Sequence, residues 1–105
     1  MHVVIFEVEP TDDGKKEYLD IAGRLREELQ SIDGFISIER FESLVTPGKI
    51  LSLSSWRDEE SIRRWRETQS HQIAQDRGRS ELFKRYQIIV AEVVRNYDLD
   101  NSPWR

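Results

Sequence analysis

The chain has no cysteine. That single absence removes disulfides, thiolate nucleophiles and cysteine-ligated zinc or iron–sulfur clusters together. Its two histidines come without a compact acidic cluster, so no metal site is expected. No apolar run approaches the ~20 residues that span a bilayer. The opening MHVVIFEVEP lacks a basic stretch and is interrupted by Glu7 and Glu9, so it is not expected to be a secretory signal. With nothing to send the chain elsewhere, a cytoplasmic address is expected. The patterns G-x-G-x-x-G, G-x-x-x-x-G-K-[ST] and G-x-S-x-G are missing too, and with them the usual nucleotide cradle and serine nucleophile elbow. Nor is there an excess of positive charge: 16 lysines and arginines stand against 20 acids, a net charge of -4. Neither nucleic acid nor an anionic membrane is an expected partner.

What is present reads as one domain of 105 residues, residues 1–97, followed by a polar tail, 98–105, that Trp104 ends as a possible docking anchor. HVVIFEVEP is β-branched and aromatic and reads as a strand closed by Pro10. After the turn TDDGKK, with Thr11, Asp12 and Asp13 as candidate caps, Tyr18, Ile21, Ala22, Leu25, Leu29 and Ile32 fall on one helical stripe. Asp33-Gly34 ends that helix. FISIERFES and ILSLSSW form a hairpin about the TPGK turn. Asp58 is placed to cap a second helix running to about Arg77, with Glu59 and Glu60 in its first turn. RSELFKRY reads as a short helical turn or loop, and QIIVAEVVRNY as the last strand.

The order β-α-β-β-α-β predicts an α+β, ferredoxin-like domain with both helices on one face of a four-stranded antiparallel sheet. Both faces of the strands are apolar: Val3 and Ile5 oppose Val4, Phe6 and Val8; Phe35 and Phe41 oppose Ile36 and Ile38; Ile89, Ala91 and Val93 oppose Ile88, Val90 and Val94. Two helices cover one face only. A second copy, sheet against sheet, is expected to cover the other, making a homodimer.

Chemistry is expected on the second helix. His71 follows Trp65 by six residues, about 120° round the helix and about 9 Å along it, so both can border one cavity, and an imidazole exchanges protons near neutral pH. Trp56 and Trp65 offer an aromatic wall for a flat ligand. Phe83 and Tyr86 would close that region if RSELFKRY folds back as a lid. Each has a structural alternative, since tryptophans fill small cores and histidines bond to neighbours. The serines Ser52, Ser54 and Ser55 and the acids Glu7, Glu39 and Glu92 interrupt apolar strands; Arg40 or Arg95 is a candidate partner for such an acid, at a dimer interface. The arginines of the second half interleave with acids, as in Glu59–Arg63 and Glu60–Arg64. Arg79, just after Gly78, is set apart as a candidate for binding an anionic or phenolate substituent.

The segments DGFISIERFES, LSLSSWRDEESIRRWRETQSHQIAQDRGR and YQIIVAEVVRNY resemble the antibiotic biosynthesis monooxygenase family, the dimeric α+β barrels. The most specific string is W-x-D-E-x-x-x-x-x-W-x-x-x-x-x-H, Trp56 to His71. The resemblance implies an enzyme that oxygenates activated phenolic or anthrone-type carbons with O₂, without metal, flavin or other cofactor. It matches Trp65 to the family tryptophan beside the pocket and His71 to a histidine common in this subgroup, with Tyr86 and Arg79 as looser matches; His71 is the residue expected nearest a general base. A sister group degrades haem through a first-strand asparagine and an axial histidine ten residues after the helix tryptophan. Here those positions hold Glu7 and Gln75, which ranks haem degradation below oxygenation of a quinol or phenol. A container for a flat hydrophobic ligand such as haem, without turnover, is the alternative. A pure interaction module, its pocket filled by its own side chains, is a third.

Overall fold

The computed structural model describes residues 1–76 and 82–103, with residues 69–76 described as backbone only. Six elements follow one another: β1 (His2–Pro10), α1 (Lys15–Leu29), β2 (Phe35–Glu42), β3 (Ile50–Trp56), α2 (Glu59–Asp76) and β4 (Phe83–Glu92). The strands form one antiparallel sheet in the order β2-β3-β1-β4. This is the expected ferredoxin-like arrangement. Among the described residues no helix is long and apolar enough to cross a membrane.

The periodic stripe of α1 is its buried face: Tyr18, Ile21, Ala22, Leu25 and Leu29 are all buried. Ile32, placed in the same stripe, lies beyond the helix end and packs against the core from the following turn. The entry to α1 is held by Thr11 rather than by an aspartate. Its Oγ1 accepts from the Gly14 amide at 2.9 Å, its carbonyl accepts from Lys15, and its own amide donates to the Leu82 carbonyl at 2.8 Å. Asp58 caps α2 as expected, accepting from the Ser61 amide at 2.9 Å and the Ser61 hydroxyl at 2.6 Å. Of the two expected helix pairs, Arg64–Glu60 forms at 3.8 Å. Arg63 instead bonds Glu60, one residue closer, and Glu67.

Two elements depart from the sequence pattern. The register of β2 shifts between Phe35 and Ser37, so Phe35 pairs with Trp56 and Ile38 with Ser54. The extra residue at Ile36 turns Phe35 to the helix side, edge-on to Trp56 with ring centroids 5.3 Å apart, where alternation alone had put it on the opposite face from Ile38. β4 also starts four residues earlier than its apolar run and stops at Glu92. Lys84 and Arg85 hide its start in the sequence, yet both lie exposed at the rim while Phe83 is buried. The segment expected to fold back as a lid therefore enters the sheet at Phe83–Tyr86.

Strand pairing sorts the side chains into two faces. On the helix side lie Val4, Phe6 and Val8, Ile38 and Arg40, Ile50, Ser52, Ser54 and Trp56, and Tyr86, Ile88 and Val90. Val8, Leu29, Trp56 and Leu82 are the deepest apolar side chains there. On the other face Ile5 sits between Leu53 and Ile89, and Phe41 opposes Leu51. Leu53, Phe41 and Ile89 are 36%, 45% and 40% exposed.

Candidate functional site

Between the sheet and the two helices lies a cavity of about 320 Å³, within the range of small-ligand pockets. Its floor consists of two rows running across the sheet. One row is Arg40, Ser52, Phe6 and Ile88; the other is Ile38, Ser54, Val4 and Val90. From α1, Tyr18, Ile21, Ala22 and Leu25 close it above, and from α2, Ile62, Trp65 and Arg66. Leu82, Phe83 and Tyr86 complete the wall.

Aromatic rings shape two sides. Phe6, Phe83 and Tyr86 meet edge to face with centroids 6.0–6.1 Å apart, and Tyr18 joins Phe83 at 5.5 Å. Such quadrupole-matched contacts hold the rings in defined orientations. On the α2 side Trp65 stacks on Trp56 at 6.4 Å. The Trp56 indole N–H donates to Ser54 Oγ at 2.9 Å, so the buried donor is satisfied.

Of the expected site residues, Trp65, Phe83 and Tyr86 line the cavity. Trp56 does not. It is wholly buried behind Trp65, because a tryptophan at the end of β3 on the helix side is enclosed by Phe35 and α2. His71 lies on the helical backbone of α2, its side chain outside the described residues. Arg79 and Trp104 also lie outside them.

The sequence pattern missed the polar part of the site. Ser52 and Ser54 do not face a sheet edge or a partner; both are buried on the helix side. Arg40, one of two candidate partners for a strand acid, shares their face and extends into the cavity. Its Nε is buried without a hydrogen-bond partner, and among the described residues no carboxylate pairs with it; Glu7 bonds Lys49 instead, at 3.6 Å. The guanidinium faces the Tyr18 hydroxyl. Burial pushes that phenol above its ordinary 10.0, and Arg40, by charge and hydrogen bonding, only partly opposes the rise. Tyr18 is thus a neutral phenol at physiological pH. The period-two alternation of β2, counted from Ile38, was the available signal, since it puts an arginine on the core side.

The described lining holds two arginines, Arg40 and Arg66, and no carboxylate. Nor does any group of three histidine, cysteine, aspartate or glutamate side chains suited to a metal ion occur among the described residues. An apolar body with an electron-rich or anionic group matches these walls.

Residues 1–77 match the family model for antibiotic biosynthesis monooxygenases. The chain is 50% identical over 93 residues to the jasmonate monooxygenase of Pyricularia oryzae, an alignment covering 89% of this chain. The chain spans less than half of that relative's length, 43%. Among solved structures, a Mycobacterium tuberculosis protein superposes with a TM-score of 0.78 at 18% identity, over 92% of this chain and 98% of that one. SnoaB, a cofactor-independent oxygenase of Streptomyces nogalater, superposes with a TM-score of 0.73 at 9% identity, over 90% of this chain and 94% of that one. At such identities the two structures establish the shared fold.

Proposed function

The chain belongs to the antibiotic biosynthesis monooxygenase family, and on that footing we propose that it is a small monooxygenase acting with O₂ on an aromatic or quinol-type metabolite, as a homodimer. The observation that carries the reading is the cavity: about 320 Å³, walled by Phe6, Phe83, Tyr86 and Trp65, with cationic side chains and no carboxylate among its described lining. The names of the Pyricularia relative and of SnoaB support the reaction class.

In the reaction proposed, no cofactor is needed when the substrate is easily deprotonated. The carbanion or phenolate passes one electron to O₂, and the substrate radical and superoxide recombine as a C–O bond. The proton returns to the peroxide, and loss of water from the hydroperoxide at a former methylene carbon leaves a carbonyl. One O₂ and one CH₂ thus become one C=O and one water. The protein's part is to hold the anion, exclude bulk water and keep the reacting carbon open to O₂. Trp65 and Tyr86 serve as walls, His71 as the proton acceptor and Arg79 as a further cation for the substituent. Trp56 acts through Trp65.

Oxygen uptake tests this with a panel of anthrones, dihydroxyanthracenes, quinols and jasmonate, in the presence of chelator, comparing wild type with His71→Ala. Chelator-insensitive uptake above autoxidation is expected, and it should fall in the variant. Uptake no faster than autoxidation across the panel would make the protein a container for a flat ligand, to be tested next by hemin titration.

A further inference from the structure

The described lining of the cavity is cationic within a chain of net charge -4. Arg40 supplies the inner cation. It rises from β2 opposite Ser52, and its buried Nε has no hydrogen-bond partner. A guanidinium beside apolar walls is costly unless an anion and hydrogen-bond acceptors meet it. No described carboxylate does so. The Tyr18 oxygen that hydrogen-bonds it is a neutral phenol, so among the described residues no anion balances its charge.

The polar side chains of the floor, Arg40, Ser52 and Ser54, stand on β2 and β3 beside Ile38, whereas Phe6, Val4, Ile88 and Val90 stand on β1 and β4. Adjacent strands lie about 4.8 Å apart, so Arg40 is roughly 10–14 Å from the apolar side chains of β1 and β4 in its row. A ligand that fills the floor must therefore be polar at one end and apolar along its body.

We propose that Arg40 is the anchor for a carboxylate on the ligand, and that the preferred substrates are small apolar carboxylic acids whose hydrocarbon body lies toward β4. This rests on the reading of the cavity as the substrate site. Arg40 offers its planar fork to the two carboxylate oxygens, a match in geometry as well as charge. Ser52 and the Tyr18 hydroxyl stand beside it as donors to the same group. Arg66, exposed on α2 at the cavity wall, adds a second cation that draws the acid in. Where the body of the ligand carries the easily deprotonated carbon, a carboxylate at Arg40 would place that carbon away from the acid end, and the same exchange of CH₂ and O₂ for C=O and water would occur there. Arg40 is then a specificity-determining residue.

Isothermal titration calorimetry of the full chain at pH 7 tests this with 1-naphthaleneacetate and its neutral amide, 1-naphthaleneacetamide. Wild type is expected to bind the acid about tenfold or more tightly than the amide, the scale of a charge-assisted hydrogen-bonded pair. In Arg40→Met the preference for the acid over the amide should vanish. Arg40→Lys, which keeps the charge but loses the fork, should retain part of the preference. Circular dichroism confirms that each variant is folded, and wild type alone is decisive if Arg40→Met is not. Equal binding of acid and amide by wild type, no binding of either, or a preference that survives in Arg40→Met would overturn the inference. Binding rather than turnover is read, so the two proposals fail separately. A missing O₂ uptake with an intact acid preference would remove the monooxygenase reading and leave Arg40 as an acid anchor.

Discussion

Trp65 turns one side to the cavity and the other to Trp56, the two rings 6.4 Å apart with 30° between their planes. Trp56 is fixed in turn by the bond from its indole N–H to Ser54 Oγ. The orientation of the pocket wall thus depends on a residue that does not touch the pocket, and on a buried serine of β3. Removing the Ser54 hydroxyl leaves the buried Trp56 N–H without its partner. Ser54→Ala is expected to lower stability by about 1–3 kcal/mol in urea unfolding, with a shift in tryptophan emission as the stacked pair relaxes.

Trp65 itself lines the cavity, and under the proposed function its ring stacks on the substrate. Trp65→Phe keeps an aromatic ring of smaller area, so folding is expected to survive. Substrate binding should weaken roughly 2- to 10-fold, the scale of one aromatic contact, measured on whichever member of the oxygen-uptake panel reacts.

Gly34 occupies a left-handed conformation, φ 96°, and its carbonyl accepts from the Arg57 amide at 2.7 Å. A Cβ there would collide with Ser61 Oγ and come within 2.7 Å of Ser61 Cβ. Gly48 has a similar φ of 83° with open space around it. Gly48→Ala should cost about 1–2 kcal/mol from backbone strain alone. Gly34→Ala should cost clearly more, and the difference between the two melting temperatures reports the close approach of α2 to the start of β2.

The cap of α2 titrates. Two bonds from Ser61, and then Arg57, hold the Asp58 carboxyl down at about 2, below the ordinary 3.8. The folded state therefore keeps the charge to lower pH than the unfolded chain does. The resulting stability is fully present above about pH 4 and is lost as pH falls toward 2. Between pH 5 and 2 the melting temperature of wild type should fall further than that of Asp58→Asn, whose cap does not titrate. Parallel curves would remove Asp58 from the account of acid sensitivity.

Leu53, Phe41 and Ile89 expose apolar surface on the face without helices. A second copy covering it is the arrangement proposed, so light scattering at micromolar concentration should give twice the 12.5 kDa chain mass. Leu53→Glu at the centre of that face should shift the mass toward one chain, because an unpaired carboxylate in an apolar interface is costly. A wild-type mass of one chain would end the homodimer proposal.

By itself the sequence determined the order of elements and most of their limits. Those depend on local physics: the one-sided apolar stripe of α1, the β-branched run of β1, the Asp58 cap, and glycines where φ must be positive. Trp65 was legible for the same reason, as a large aromatic on a helix whose faces could be assigned, whereas Phe83 and Tyr86 were expected in a folded-back turn and reach the cavity as residues of β4. Tertiary structure decided the rest. The start of β4 at Phe83 was hidden by Lys84 and Arg85, whose exposure depends on lying at the sheet rim. A one-residue irregularity at Ile36 reversed the face of Phe35. Pairing between strands brought Arg40, Ser52 and Ser54 to one face of the cavity and set Arg40 against Tyr18, and no sequence window contains that arrangement, since it joins β2, β3 and α1. Whether an arginine on a strand meets an acid, bulk water or a cavity wall depends on its neighbours across the sheet, and register sets those neighbours.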